Sequence, residues 1–134
     1  MRKIIILLLL IVNFGLSQDI NSKLYEKILK GIFPSAEEIS IYVTDEEEKF
    51  NFKSNIKIVR VIENSNLILL NSENYNKKFK NKILFVSSYK NLIKYENAIG
   101  ALYWKKGRPQ IIFLKDRLKK YGLEIEPYLS KYIE

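Results

Sequence analysis

Six residues carry the densest potential for recognition in this chain: Tyr103-Trp104-Lys105-Lys106-Gly107-Arg108. Aromatic rings beside lysine and arginine can stack on a planar group while the cations meet an anion. The same residue types favour the hot spots of protein–protein contacts. A plainer reading also fits: a hairpin with one ring in the core, the other ring shielding an edge, and a charged turn that discourages edge-to-edge pairing. Three further groups invite chemical readings. Ser87-Ser88 closes an apolar run and is the place to look for a Ser-Lys dyad, although Ser-Ser after a strand is ordinarily a helix cap or a turn. Glu124 and Glu126 straddle Ile125 and would point the same way in an extended chain, as a carboxylate pair or as exposed loop acids. Asp45-Glu46-Glu47-Glu48 offers oxygen ligands, but no calcium-loop spacing accompanies it, and it reads as the solvated first turn of a short helix.

The absences narrow the chemistry. The sequence holds no histidine and no cysteine. Ser-His-Asp and Cys-His arrangements are therefore impossible, and a zinc site is disfavoured. No glycine-rich phosphate cradle occurs. These features lead to the expectation of a non-enzyme with no cofactor and no metal.

The elements that must position these groups follow from hydrophobic period and turn chemistry. The stretch Met1-Arg2-Lys3, apolar Ile4–Val12 and small Gly15 and Ser17 predicts a signal peptide over 1–17 and a periplasmic single domain over 18–134. Export argues against nucleic acid as a partner. The formal charge of the chain is +8; without Arg2 and Lys3 it is +6, because residues 1–17 hold no acid. A basic surface can meet phosphate, headgroups or acidic partners, yet the joint richness in Ile, Lys and Asn also matches the coding bias of an AT-rich genome.

Ile20, Leu24, Ile28 and Ile32 recur every four residues, with Tyr25 and Leu29 beside them, and predict an amphipathic helix over Asn21–Gly31. Asp19 or Asn21 would cap it, and Phe33-Pro34 would end it. Ile39–Val43, Ile56–Ile62, Leu67–Leu70 and Ile83–Val86 read as strands. Asn71–Lys82 reads as a helix or loop with its lysines in water. Tyr89–Tyr95 reads as a short helix on Leu92 and Ile93.

In Ala98–Trp104 the alternation sets Ile99, Ala101 and Tyr103 against Gly100, Leu102 and Trp104. Gln110–Leu114 would be a strand buried on both faces, and Lys105-Lys106-Gly107 the turn between the two. A helix over Asp116–Tyr121 would end on Gly122 in the left-handed conformation, with Leu123 packed on Leu118. Pro127 would open a last helix with Tyr128, Leu129, Tyr132 and Ile133 inward. Alternating strands and helical connections predict an α/β fold: a mostly parallel central sheet, a C-terminal antiparallel β-hairpin and flanking helices.

Ile83–Ser88 (ILFVSS), Ile99–Leu102, Arg108–Leu114 (RPQIIFL), Gly122-Leu123 and Ile125–Leu129 together resemble the YfiR-like family of bacterial periplasmic proteins. Upstream, Leu24–Phe33 before Pro34, Ile39–Thr44 and Leu67–Ser72 (LILLNS) extend the resemblance. The founding members carry disulfides that this chain lacks, and the segment between Ile56 and Leu67 is shorter here. The resemblance implies a periplasmic regulator that controls a membrane-bound signalling protein, a diguanylate cyclase or a sensor kinase, by protein–protein contact. The hairpin residues Tyr103, Trp104, Lys105, Lys106 and Arg108 are the expected contact surface, and an exposed sheet edge would allow a homodimer. The alternative is a periplasmic small-ligand receptor for an anionic metabolite.

Overall fold

Leu67–Leu70 is the strand about which the domain closes: all four side chains are at most 1 % exposed. A four-residue apolar run is stable only where both faces of a sheet are covered, and a central parallel strand provides that. The computed structural model describes residues 20–134. The expected signal peptide over 1–17 lies outside them.

Six strands form one sheet: β1 (Ile39–Val43), β2 (Ile56–Val59), β3 (Leu67–Leu70), β4 (Leu84–Val86), β5 (Ala98–Lys105) and β6 (Arg108–Phe113). Their spatial order is β2-β1-β3-β4-β5-β6. The first five run parallel, and β6 returns antiparallel to β5. The fold is α/β with a parallel sheet ending in an antiparallel hairpin. The chain steps outward from β1 to β2, then crosses back to lay β3 on the other side of β1. Strand order therefore reverses between β1 and β3.

Each face of the sheet has its own apolar layer. One face buries Ile41, Leu67, Leu69, Phe85 and Phe113 beneath helix α1 (residues 20–32) and the last turn of the chain. The other buries Ile68, Leu70, Val86 and Ala101 beneath helix α2 (Tyr89–Lys94) and Phe79. Helix α1 packs through Tyr25, Ile28, Leu29 and Ile32, whereas Ile20 is 48 % exposed. The apolar stripe thus begins one turn later than the period suggested. Asn21 is not a cap: it sits inside the helix, and its Nδ2 donates to Glu48 Oε1 at 2.8 Å.

Helix α3 (Lys115–Lys120) ends as its sequence demands. Gly122 takes φ +63°, its N–H donates to Lys119 O, and Leu123 N–H donates to Leu118 O. That pair of bonds is the Schellman closure. The final segment is a 3-10 helix over Pro127–Tyr132. Its Leu129 is buried, but Tyr128 is 42 % exposed, and its hydroxyl donates to Lys27 O at 2.7 Å. The expected inward place for Tyr128 is corrected by that polar tip, which needs a surface carbonyl rather than a core.

In β5 the simple alternation fails at one residue. Leu84 pairs with Ala98 and Phe85 with Gly100, which leaves Ile99 as a bulge. Ile99 accordingly packs with Leu102, not with Ala101. A bulge inserts one residue and turns its side chain to the opposite face. Beside it, a Cβ on Gly100 would lie 2.7 Å from Ile112 O and 2.7 Å from a Phe113 ring carbon. A carbonyl in a paired strand cannot step aside. Gly100→Ala should therefore cost about 1–3 kcal/mol, read as a lower urea midpoint at unchanged m-value.

Other expectations need correction. Asp45–Glu48 forms a turn, not a helix, and Glu48 is partly buried. The strand expected to reach Ile62 stops at Val59, and Ile62–Asn64 winds into a 3-10 turn. Asn71–Lys82 does contain the expected helix, a 3-10 turn over Lys77–Asn81 that buries Phe79 and leaves Lys77, Lys78 and Lys80 exposed, but Lys82 is drawn in, its Nζ donating to Ser65 O at 2.7 Å. In α2, Leu92 is buried but Ile93 is 51 % exposed. Strand β6 is an edge strand whose Gln110 and Ile111 are only partly buried. The carboxyl end of α2 is closed by Arg117, whose Nη1 donates to Tyr95 O and Ala98 O at 2.8 Å each, and to Leu92 O. A guanidinium satisfies carbonyls that a helix end leaves without partners.

Glu26 ties α1 to the loop before β2. Ser54 Oγ donates to its Oε1 at 2.6 Å and Lys53 N–H at 3.0 Å. The Ser54 bond first, then the backbone donors, hold the Glu26 carboxyl below its ordinary 4.5. The folded state therefore favours the carboxylate. The resulting stabilisation is complete above the ordinary value and is lost as pH falls through the lowered one. The gap in melting temperature between the native chain and Glu26→Ala should be full near neutral pH and narrow as pH falls below the ordinary value of 4.5.

Candidate contact surface

Strand β5 outruns its parallel neighbour. Val86, the last residue of β4, pairs with Ala101, and β5 continues through Lys105. Four further residues at strand rise carry the hairpin about 13 Å beyond the end of β4. Lys105 pairs with Arg108, so Lys106-Gly107 is a two-residue loop. Both take positive φ, +52° and +76°, which matches the twist of the flanking strands. Glycine is free there, while Lys106 is held in a conformation that side-chain-bearing residues seldom adopt.

The hairpin's register sets its surface. A two-residue loop closes on a hydrogen-bonded pair, so the next pair, Trp104 with Pro109, is a non-hydrogen-bonded one. Pro109 therefore costs no ladder bond, and its missing N–H falls on the outer edge. Further along, Glu134 N–H donates to Phe113 O and Lys115 N–H to Glu134 O, both at 2.8 Å. The edge of β6 is blunted at both ends against addition of another strand.

Trp104 is 50 % exposed, and Lys105, Lys106, Arg108 and Pro109 are exposed. Tyr103 points to the opposite face, partly buried against the layer that holds Ala101 and Ile112. The structure thus gathers Trp104, Lys105, Lys106 and Arg108 at one tip and turns Tyr103 towards the core. No acid occurs between Glu96 and Asp116, so the cations of the tip have no carboxylate on their own hairpin.

The other sequence candidates do not assemble into a reactive group. Ser88 caps α2, accepting from Asn91 N–H at 3.1 Å. Ser87 Oγ donates to Leu70 O. Glu124 is exposed and Glu126 partly buried, ahead of the last 3-10 turn. Among the described residues, no three His, Cys, Asp or Glu side chains are placed to hold a metal ion, and no helix is long and apolar enough to cross a membrane.

A second polar constellation stands at the carboxyl ends of β1 and β3, where strand order reverses. Asp45 N–H donates to Asn71 Oδ1 at 2.7 Å, and Thr44 Oγ1 lies 3.1 Å from that oxygen and 2.9 Å from Ser72 Oγ. Asn71 Nδ2 donates to Glu48 Oε2 at 2.7 Å. With Asn21 on the other oxygen of Glu48, the clasp joins two strand ends to the start of α1. Beside it a cavity of about 210 Å³ is lined by residues that include Tyr42, Glu48, Lys49, Phe50, Ile58 and Arg60. Sequence reasoning missed this clasp. Its only trace was a polar residue directly after each apolar strand, Thr44 and Asn71.

No protein-family model, curated protein or solved structure matches this chain.

Proposed function

We propose that this domain is a periplasmic regulatory module that controls a membrane-bound signalling protein, a diguanylate cyclase or a sensor kinase, by protein–protein contact. The observation that carries the reading is the hairpin tip: a half-exposed tryptophan among three exposed cations, held on a turn of fixed geometry beyond the end of the sheet. Tryptophan and arginine on a preorganised element are the residues that dominate protein interfaces, because little freedom remains to be lost on binding. The resemblance to the YfiR-like family supports the same reading and supplies the class of partner. Regulation of such a partner requires that the tip bind one of its two states more tightly.

The test is a capture from detergent-solubilised membranes with the tagged protein, followed by mass spectrometry. Recovery of a membrane protein with a periplasmic domain and a cytoplasmic cyclase or kinase domain supports the reading. Recovery of the same proteins by a Trp104→Ala/Arg108→Ala variant removes the tip as the contact surface.

The cavity beside the clasp favours a second reading, a small-ligand receptor for an anionic metabolite. It lies beyond the carboxyl ends of β1 and β2, next to the reversal of strand order where α/β sheets take ligands, and Lys49 and Arg60 line it together with Glu46 and Glu48. A carboxylate or phosphate ligand at about 100 times its Kd should add about 2.7 kcal/mol of stability. Arg60→Ala should abolish that thermal shift while leaving the unliganded melting temperature unchanged.

A further inference from the structure

We propose that the hairpin tip seats the domain on an anionic phospholipid surface, with Trp104 at the headgroup boundary and Lys105, Lys106 and Arg108 on the lipid phosphates. The inference shares with the proposed function only the reading of the tip as a contact surface, and gives that surface a lipid rather than a protein occupant.

Three independent features of the molecule lead here. The first is composition. Tryptophan and basic side chains together are the pattern of residues that settle at a membrane–water interface, where the ring is amphipathic and the cations meet phosphate. The span from Glu96 to Asp116 has no acid, so no carboxylate on the hairpin repels an anionic leaflet; the acids Asp45–Glu48 stand at the same end of the sheet but follow β1, three strands away from β5. The second is shape. The tip stands about 13 Å proud of the end of β4, so a flat surface can reach it without meeting the adjacent strand end.

The third is direction. Helix α1 runs antiparallel to β1: its start is tied to Glu48 beyond the carboxyl end of β1, and Gly31 near its end accepts from Glu126 N–H, away from that clasp. Strand β5 points its carboxyl end, and hence the tip, the same way as β1. The described chain therefore begins, at a 48 % exposed Ile20, at the same end of the sheet as the tip. The preceding residues, with the apolar run Ile4–Val12, join the domain at that end. After cleavage the tip alone would supply attraction, because one basic cluster and one ring give reversible binding.

Trp104 is the only tryptophan in the chain, so its fluorescence reads the tip directly. The native protein is titrated with phosphatidylcholine vesicles containing about 30 % phosphatidylglycerol, and with pure phosphatidylcholine vesicles. The expected result is a blue shift of Trp104 emission, with quenching by brominated acyl chains, on the anionic vesicles only. Each cation near an anionic leaflet strengthens binding about fivefold. Lys105→Ser/Lys106→Ser/Arg108→Ser should therefore weaken vesicle binding roughly a hundredfold. Lys77→Ser/Lys78→Ser/Lys80→Ser removes the same charge from the 3-10 helix that leads into the amino end of β4, and should leave binding nearly unchanged.

Unshifted emission of the native protein on anionic vesicles overturns the inference without any variant. Equal losses in the two triple variants also overturn it, because binding would then follow diffuse charge. Failure here leaves the protein-contact reading intact, since capture from detergent needs no bilayer. Vesicle binding without a captured signalling protein would sustain the inference and remove that reading.

Discussion

Phe85→Ala should lower the stability of the domain by about 3–5 kcal/mol, the largest loss expected from any single truncation in the chain. Phe85 is fully buried on the central strand β4. Its ring meets Phe113 at 5.9 Å between centroids and Tyr25 edge-on at 6.2 Å. Tyr25 in turn meets Phe50 edge-on at 5.3 Å, and Phe50 stacks on Phe52 at 5.3 Å. One line of rings therefore joins β6, β4, α1 and the loop before β2. Removing Phe85 opens a cavity in the middle of that line, where neither a strand nor a helix anchored on both sides can move in to fill it. Phe52, half-buried at the end of the line, should cost less on truncation because water can enter the gap.

The expected loss is a large share of the 5–15 kcal/mol that holds a domain of this kind together. Urea denaturation followed by far-UV circular dichroism would check it. A midpoint lowered by less than the effect of Phe52→Ala would show that the aromatic line is not the domain's main brace. The Tyr25 phenol bears on the same brace. Burial first, and then the Glu48 carboxylate, push its ionisation up, so the ring stays neutral and does not bring a charge into the core.

What the sequence disclosed, and what it hid, divides by distance along the chain. Strands β1 and β3 fall on Ile39–Val43 and Leu67–Leu70 as their composition predicts, because a short apolar run between turn signals has few ways to be buried. The end of α3 is readable to the atom, because the left-handed glycine and its two bonds lie within six residues. The clasp at β1 and β3 joins Thr44 to Asn71 and Ser72 across 27 and 28 positions, and no local period encodes such a meeting. Arg117 closing α2 is the same kind of event, 19 to 25 positions away from its carbonyls. The bulge at Ile99 is local, yet it arises from how β5 registers on β4, a partner fixed only by the fold. The hairpin tip was found from sequence because its residues are consecutive. Which ring faces outward was not, since an extended segment read alone fixes alternation but not which side meets the core.

The outward placement of Trp104 sets the second large effect. Of the two rings only Trp104 is exposed, so the binding energy expected of the tip falls on Trp104 and Arg108, not on Tyr103. Truncating one hot-spot residue costs about 2 kcal/mol or more, a thirtyfold loss of affinity. The double variant Trp104→Ala/Arg108→Ala should therefore weaken capture of the proposed partner by one to two orders of magnitude, with less than full additivity because the two side chains share one tip. The fold should survive, since both residues lie outside the buried layers and the turn keeps Gly107 at its positive φ. Tyr103→Phe serves as the contrast. It keeps the ring that packs on the sheet and removes only a hydroxyl, so affinity should be unchanged. Titration of the proposed partner's periplasmic domain, free of lipid, would measure all three variants against the native chain. Strong loss in Tyr103→Phe with none in the double variant would place the contact on the α2 side of the sheet, where Tyr89 and Ile93 are half exposed.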